Sequence, residues 1–290
     1  MVTVTIFRKM VTVTVFLFVA ACAAQTRAPG DLRFALMGDT PYSENEVGRL
    51  DRLIEDLNRE DLAFVVHVGD ITSGRGPCSD DWFRERKDQF AKIRHPFVLL
   101  PGDNDWTDCH RTGYSPSERL DHWRKLFCTR EPRLEIEVQR GEYCEHVRWE
   151  AGGALFVTLN VQGSNNNLGR NAAMDAEHLA RMTAVLAWID DSERAFRGRK
   201  LKWMVLAMQA NPFLRPRKGA NGYEALLERV KRLVADNPGA VILVNGDTHT
   251  HRDDEPLPGL RRIEPWGSPI VSWLRGSIST GFNVGVAGIY

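Results

Sequence analysis

Four apolar runs along the chain end in the same way. Leu32 to Met37, Ala63 to Val68, His95 to Pro101 and Ala240 to Asn245 each lead into a Gly-Asp step, at Asp39, Asp70, Asp103 and Asp247. Runs this apolar on both alternating faces predict inner parallel strands covered by helices on each side. Between the strands the period changes to that of a helix. Val47, Leu50, Ile54 and Leu57 form one stripe behind Ser43, with Glu46 placed for a capping box; Trp82, Phe83, Phe90 and Ile93 mark a second helix begun by Ser79 or Asp80. The chain therefore opens as a βαβαβ unit.

The later part repeats the alternation with more loop. Residues 104–150 read as an insertion at the strand-end edge, with a helix begun by Ser115, Pro116 and Glu118 and a hairpin around Arg140-Gly141. Ala154 to Leu159 and Leu201 to Met208 are further strands. Leu179, Met182, Leu186 and Ile189 mark a long amphipathic helix, and Tyr223 to Val234 a second one stopped by Asn237-Pro238-Gly239. An amide-rich loop, Asn160 to Asn167, follows the first of these strands. Weak alternation from Ile263 to Phe282 predicts closing antiparallel strands. No internal repeat appears, and 290 residues suit one α/β domain with insertions.

Charge and cysteines narrow the setting. Lys plus Arg equals Asp plus Glu at 38 each, and no basic run or basic helix is present, so no nucleic-acid partner is predicted. Arg8 and Lys9 precede an apolar stretch, Met10 to Ala21, which is the length of a signal-peptide core and short for a membrane span. Val19-Ala20-Ala21-Cys22 resembles the bacterial lipoprotein signal, which implies lipidation of Cys22. The predicted organisation is a signal peptide over 1–22, a tether over 23–31 and a domain over 32–290. Its expected location is the periplasm, as an outer-membrane lipoprotein held only by its lipid anchor; the other reading is a secreted protein. Cys78, Cys109, Cys128 and Cys144 remain, an even number with three possible pairings. Cys78 with Cys109 is favoured because both lie in loops after neighbouring strands, which leaves Cys128 with Cys144. No short paired spacing supports a zinc site instead.

Four carboxylates at one rim repel each other unless cations lie between them. Their order and strand context resemble the calcineurin-like metallophosphoesterase superfamily, whose motifs run DxH, GDxxxxG, GNHD, a lone His after a strand, and GHxH. Here they read Asp39-Thr40-Pro41, Gly69-Asp70 with glycines at 74 and 76, Gly102-Asp103-Asn104-Asp105, Gln209, and Gly246-Asp247-Thr248-His249. The chain looks like a divergent member with several metal-site histidines replaced. The resemblance implies a four-layer αββα sandwich with the metal site at strand carboxyl ends. Carried over by position, Asp39, Asp70 and His249 bind one divalent ion, and Asp70, Asp103, Gln209 and Asp247 bind the other. Oxygen-rich ligation favours Mg²⁺ or Mn²⁺ over Zn²⁺.

The implied activity is hydrolysis of a phosphorylated small molecule by a metal-bound hydroxide at a dinuclear centre. Asn104 stands where the family has a catalytic histidine, and its amide binds a phosphoryl oxygen but cannot protonate a leaving group. His110 is a candidate acid on the inserted loop; Arg111 and Asn160 are candidate substrate contacts, and His251 a candidate for the position left by Pro41. His67, inside an apolar strand, is expected to be a hydrogen-bonded core residue. The alternative function is a catalytically weak or inactive family member that binds a metal, a phosphorylated ligand or a cell-envelope partner.

Overall fold

The computed structural model describes residues 32–128, 133–214, 216 and 218–290. The predicted signal peptide, Cys22 and the tether lie outside the described residues. Among those that are described, no helix is long and apolar enough to cross a membrane.

Two sheets form the middle of the molecule. The first takes β1 (Leu32–Met37), β2 (Val65–His67), β3 (Phe97–Leu99), β11 (Ser272–Ile278) and β12 (Phe282–Ile289) in the order β12-β11-β1-β2-β3. The second takes β4 (Glu137–Val138), β5 (Val147–Ala151), β6 (Ala154–Thr158), β7 (Trp203–Ala207), β8 (Val241–Val244), β9 (Arg252–Leu257) and β10 (Leu260–Glu264) in the order β4-β5-β6-β7-β8-β10-β9. The inner strands β1-β2-β3 and β6-β7-β8-β10 are parallel, as the two-sided apolar runs require. The strand predicted at Ala63 to Val68 is assigned only over Val65–His67, but its pairing extends further: Ala63 N donates to Arg33 O at 2.8 Å and Val68 N to Met37 O at 2.8 Å.

Three apolar layers separate four layers of structure. Between the sheets, Phe34, Phe64, Trp149 and Phe156 meet in stacked and edge-on pairs 4.8 to 5.3 Å apart. Each such ring contributes about 1.5–3 kcal/mol by its burial. On the outside of the first sheet, α1 (Glu44–Leu57) and α2 (Asp80–Phe90) bury Leu50, Ile54, Trp82 and Phe83. On the outside of the second, α4 (Ala172–Gly198) and α5 (Glu224–Asp236) bury Met182, Val185, Leu226 and Val230; α3 (Pro116–Phe127) belongs to the insertion. This is the αββα sandwich.

The local predictions hold with instructive exceptions. Ser79 caps α2 by accepting from Trp82 N at 3.2 Å. Ser43, by contrast, makes no side-chain cap, and the capping box with Glu46 is not formed. Glu46 is drawn the other way, its carboxylate accepting from Tyr42 N at 2.9 Å and Ser268 Oγ at 2.7 Å. The hairpin in the insertion is shorter than its alternation suggested, because Tyr143 to His146 stay outside β5. The closing strands divide between both sheets, with β11 and β12 antiparallel beside β1 and the β9–β10 hairpin beside β8.

Both favoured disulfides are present, Cys78–Cys109 and Cys128–Cys144. The first ties the turn after β2 to the short 3-10 helix Asp108–Thr112 in the loop after β3. Closing a loop over a separation of 31 residues contributes about 3 to 4 kcal/mol in the chain-entropy picture. The covalent tie lies beside two of the four Gly-Asp steps.

Candidate metal centre

Three of the four strand-end aspartates leave their strands in the left-handed region, with φ of 50° at Asp39, 59° at Asp70 and 79° at Asp247; His249 follows at 58°. Aspartate tolerates that region better than most residues because its short side chain bonds locally. Four such residues on three loops are costly, and strain of this kind persists where surrounding contacts over-determine it. Those contacts are present. Asp105 is fully buried and accepts from Asp70 N at 3.1 Å, Ile71 N at 2.8 Å and Gly102 N at 2.8 Å, pinning the turns after β2 and β3 together. Burial pushes its carboxyl up to about 7 against the pull of those N–H groups. His67 works similarly between β1 and β2, as a neutral ring. Its Nε2 donates to Thr40 O at 2.9 Å and its Nδ1 accepts from Gly69 N at 3.2 Å, with burial lowering its pKa to about 4.

The carboxylates converge. Asp247 N donates to both oxygens of Asp39 at 3.1 Å. Asp70 is the hub: Oδ1 accepts from Asn104 N at 3.0 Å, while Oδ2 accepts from Tyr42 Oη at 2.9 Å and Gln209 Nε2 at 3.1 Å. A Cβ on Gly163 would lie 2.6 Å from Asp247 Oδ1 and 2.8 Å from Asp103 Oδ1, and one on Gly102 would lie 1.9 Å from Asp70 Oδ1. Only glycine fits either place. Asp39, Asp70 and Asp103 are pushed well above the usual carboxylate range, first by burial and then by a neighbouring carboxylate, that of Asp247 for Asp39 and Asp103 and that of Asp103 for Asp70; Asp247 rises to about 6, again chiefly by burial. His249 directs Nδ1 to Ser268 O at 2.6 Å, which leaves Nε2 facing Tyr42 Oη at 3.1 Å and Asp39 Oδ1 at 4.0 Å.

This donor set fits hard cations. It offers four carboxylates, those of Asp39, Asp70 and Asp103 buried, one imidazole with its second nitrogen already fixed, and an excess of negative charge with no Lys or Arg bonded to the four aspartates in any contact described. No three carboxylate, thiol or imidazole atoms of the cluster lie within 4.8 Å of one another. The neutral side chains of Tyr42, Gln209 and Ser164 bond its carboxylates. Among the described residues the trio that does crowd that closely, Cys128, Cys144 and Glu145, is a disulfide beside a carboxylate held by Arg124 at 2.6 Å, so it is not free to ligate.

The other predicted residues fall in different places. Gln209 sits inside the cluster, with Oε1 accepting from Gly163 N at 2.6 Å. The Asn104 side chain lies beside Gly74 and Arg111, since a Cβ on Gly74 would be 2.9 Å from both Asn104 Oδ1 and Arg111 Nη1. His110 is exposed and bonds Thr107 O at 2.8 Å. Asn160 is not brought to the cluster. It is fully buried, donating to Glu145 Oε1 at 2.7 Å and accepting Arg181 on its carbonyl at 2.9 Å. His251 also turns away, bonding Glu264 O at 2.8 Å and packing on Trp266, so it does not fill the place of Pro41.

Three contributors escaped the sequence reading. Tyr42 lies one residue beyond Pro41, which stands at the ligand position of the family's first motif. Asp108 is buried and takes Arg111 at 2.7 Å and Arg170 at 3.0 Å. Ser164 Oγ bridges Asp103 at 2.6 Å and Asp108 at 2.9 Å from a turn in which Ser164 to Asn167 all have positive φ. The signal for that turn was the run of asparagines, the residue after glycine most at ease there. Fully buried Arg181 holds it, donating to Asn166 Oδ1 at 2.6 Å and Asn166 O at 3.1 Å.

No curated protein sequence matches the chain. Among solved structures, a dimetal phosphatase from Danio rerio is similar at 13% identity and a TM-score of 0.59, covering 89% of this chain and 96% of that one. GAP50, the anchor in the inner membrane complex of Plasmodium, is similar at 10% identity and a TM-score of 0.53, covering 89% of this chain and 85% of that one. Likeness at these identities speaks for the fold alone. The model of the calcineurin-like phosphoesterase family matches residues 32–251, from β1 to the segment just past His249, and the chain belongs to that family.

Proposed function

We propose that the protein is an exported, metal-dependent phosphoesterase acting on a phosphorylated small molecule. The observation that carries this reading is the convergence of Asp39, Asp70, Asp103 and Asp247, with Asp70 at the hub. Asp39, Asp70 and His249 would hold one divalent ion, and Asp70, Asp103, Gln209 and Asp247 the other, with Mg²⁺ or Mn²⁺ favoured by the oxygen donors. Bound there, the ions supply the Lewis acidity that polarises a phosphate ester and acidifies the attacking water. The chain's own residues do the rest. The Asn104 amide and the half-exposed Arg111 guanidinium, side by side over Gly74, bind phosphoryl oxygens. Asp105 and His67 fix the loops that aim the carboxylates. Disulfides and a predicted lipoprotein signal support export.

Asn104 offers no proton to a leaving group, a role worth about 10² to 10⁴ in rate. His110, whose ring is tied to Thr107 O, is the remaining imidazole on that loop. The expected result is Mg²⁺- or Mn²⁺-dependent hydrolysis that favours good leaving groups, with kcat on aryl phosphates exceeding that on alkyl phosphates by at least about 10²-fold. A panel of aryl and alkyl phosphate esters assayed with each divalent ion measures it. Equal rates on both classes contradict the role given to Asn104, and no hydrolysis with any ion favours the binding-protein reading.

A further inference from the structure

Tyr42 occupies a position that hydrogen bonding alone does not satisfy. Its hydroxyl oxygen is 2.9 Å from Asp70 Oδ2 and 3.1 Å from His249 Nε2. Because His249 Nδ1 meets the carbonyl of Ser268 at 2.6 Å, that nitrogen carries the ring proton and Nε2 presents a lone pair. Asp39 Oδ1 stands 4.0 Å from the same Nε2. Two acceptors, on Asp70 and His249, therefore face a hydroxyl with a single proton to give, and the Asp39 carboxylate stands beside the second of them. The oxygen is held in place, since Tyr42 N donates to buried Glu46 at 2.9 Å and the ring lies edge-on to His249 with centroids 5.1 Å apart. Lone pairs that converge on one proton are what a bound cation resolves.

We propose that the Tyr42 oxygen is itself a ligand of the ion held by Asp39, Asp70 and His249, taking the place of the donor that Pro41 cannot provide. This inference rests on the metal-centre reading above and adds a fourth protein ligand to its first site. It also accounts for the commitment of Glu46, which forgoes the helix cap to hold the Tyr42 backbone and Ser268, the residue that orients His249.

The test is the metal content and affinity of chelator-stripped protein titrated with Mn²⁺, wild type beside Tyr42→Phe. Phenylalanine keeps the ring against His249 and removes only the oxygen. Wild type is expected to bind two ions and Tyr42→Phe to bind the first-site ion about 10- to 100-fold more weakly, with the second ion unchanged. Melting of the metal-free variant is expected within a few degrees of wild type, which separates lost ligation from lost folding. Equal Kd values for wild type and Tyr42→Phe overturn the inference while leaving the metal centre standing, and tighter binding by Tyr42→Phe overturns it as well. Wild-type protein that binds no ion overturns the metal centre itself, and the inference with it.

Discussion

Asp70→Asn is expected to lower kcat/KM on any ester that the protein hydrolyses by at least about 10³-fold, and to weaken binding of both ions together. Each of the other aspartates serves one part of the cluster. Asp70 alone receives Asn104 N on one oxygen and Tyr42 and Gln209 on the other, which joins the two halves of the site. Asparagine keeps the shape and one acceptor but removes the charge, so a fold change is not the expected cause of loss. Steady-state assays at saturating Mn²⁺, with thermal melts of both proteins as the folding control, measure the effect. Activity within tenfold of wild type would remove Asp70 from the chemistry.

The metal-free protein should lose stability as pH rises, and bound ions should cancel that loss. Asp39, Asp70, Asp103 and Asp247 have folded pKa values raised above the unfolded value of about 3.9. Between the two values the native state holds protons that the unfolded chain has released, so unfolding becomes easier as pH increases. Stability from these groups is complete below about pH 4 and falls as pH climbs from there, through about 6 for Asp247. His67 runs the opposite way. Its folded pKa of about 4 lies below the ordinary value of 6.5, so its contribution is complete above that value and fades as pH falls toward 4. That term is common to both forms and cancels in their difference. The gain in Tm on adding Mn²⁺ at one fixed concentration, about a hundredfold above the Kd at pH 7.5, is therefore expected to be small at pH 5 and about 5 to 10 °C at pH 7.5. A gain that is flat or shrinks with pH would contradict the buried carboxylate cluster as the binding site.

The strands and their acidic ends were legible because both signals are local. An apolar run followed by Gly-Asp names a buried strand and its turn, and four repetitions fixed one edge of the fold. The disulfide partners were legible for the same reason, since neighbouring parallel strands bring their loops together. What stayed hidden depends on contacts between distant residues. Glu46 had a good helix cap available in Ser43, but Tyr42 N and Ser268 Oγ, the latter from the far end of the chain, outcompeted it. Asn160 belonged to a conspicuous amide-rich loop, and nothing in its neighbours told that Glu145 would take its side chain into the core. Ser164, four residues on, faces the site instead. Tyr42 was missed because the motif directs attention to position 41, where proline has no donor to offer.

The most direct test of the metal centre is anomalous diffraction from crystals of the protein grown or soaked with Mn²⁺. Peaks within about 2 to 2.5 Å of carboxylate oxygens of Asp39, Asp70, Asp103 and Asp247, with Asp70 shared, are the expected result. A well-ordered site with no peak among those four side chains, or a peak held elsewhere, would contradict it.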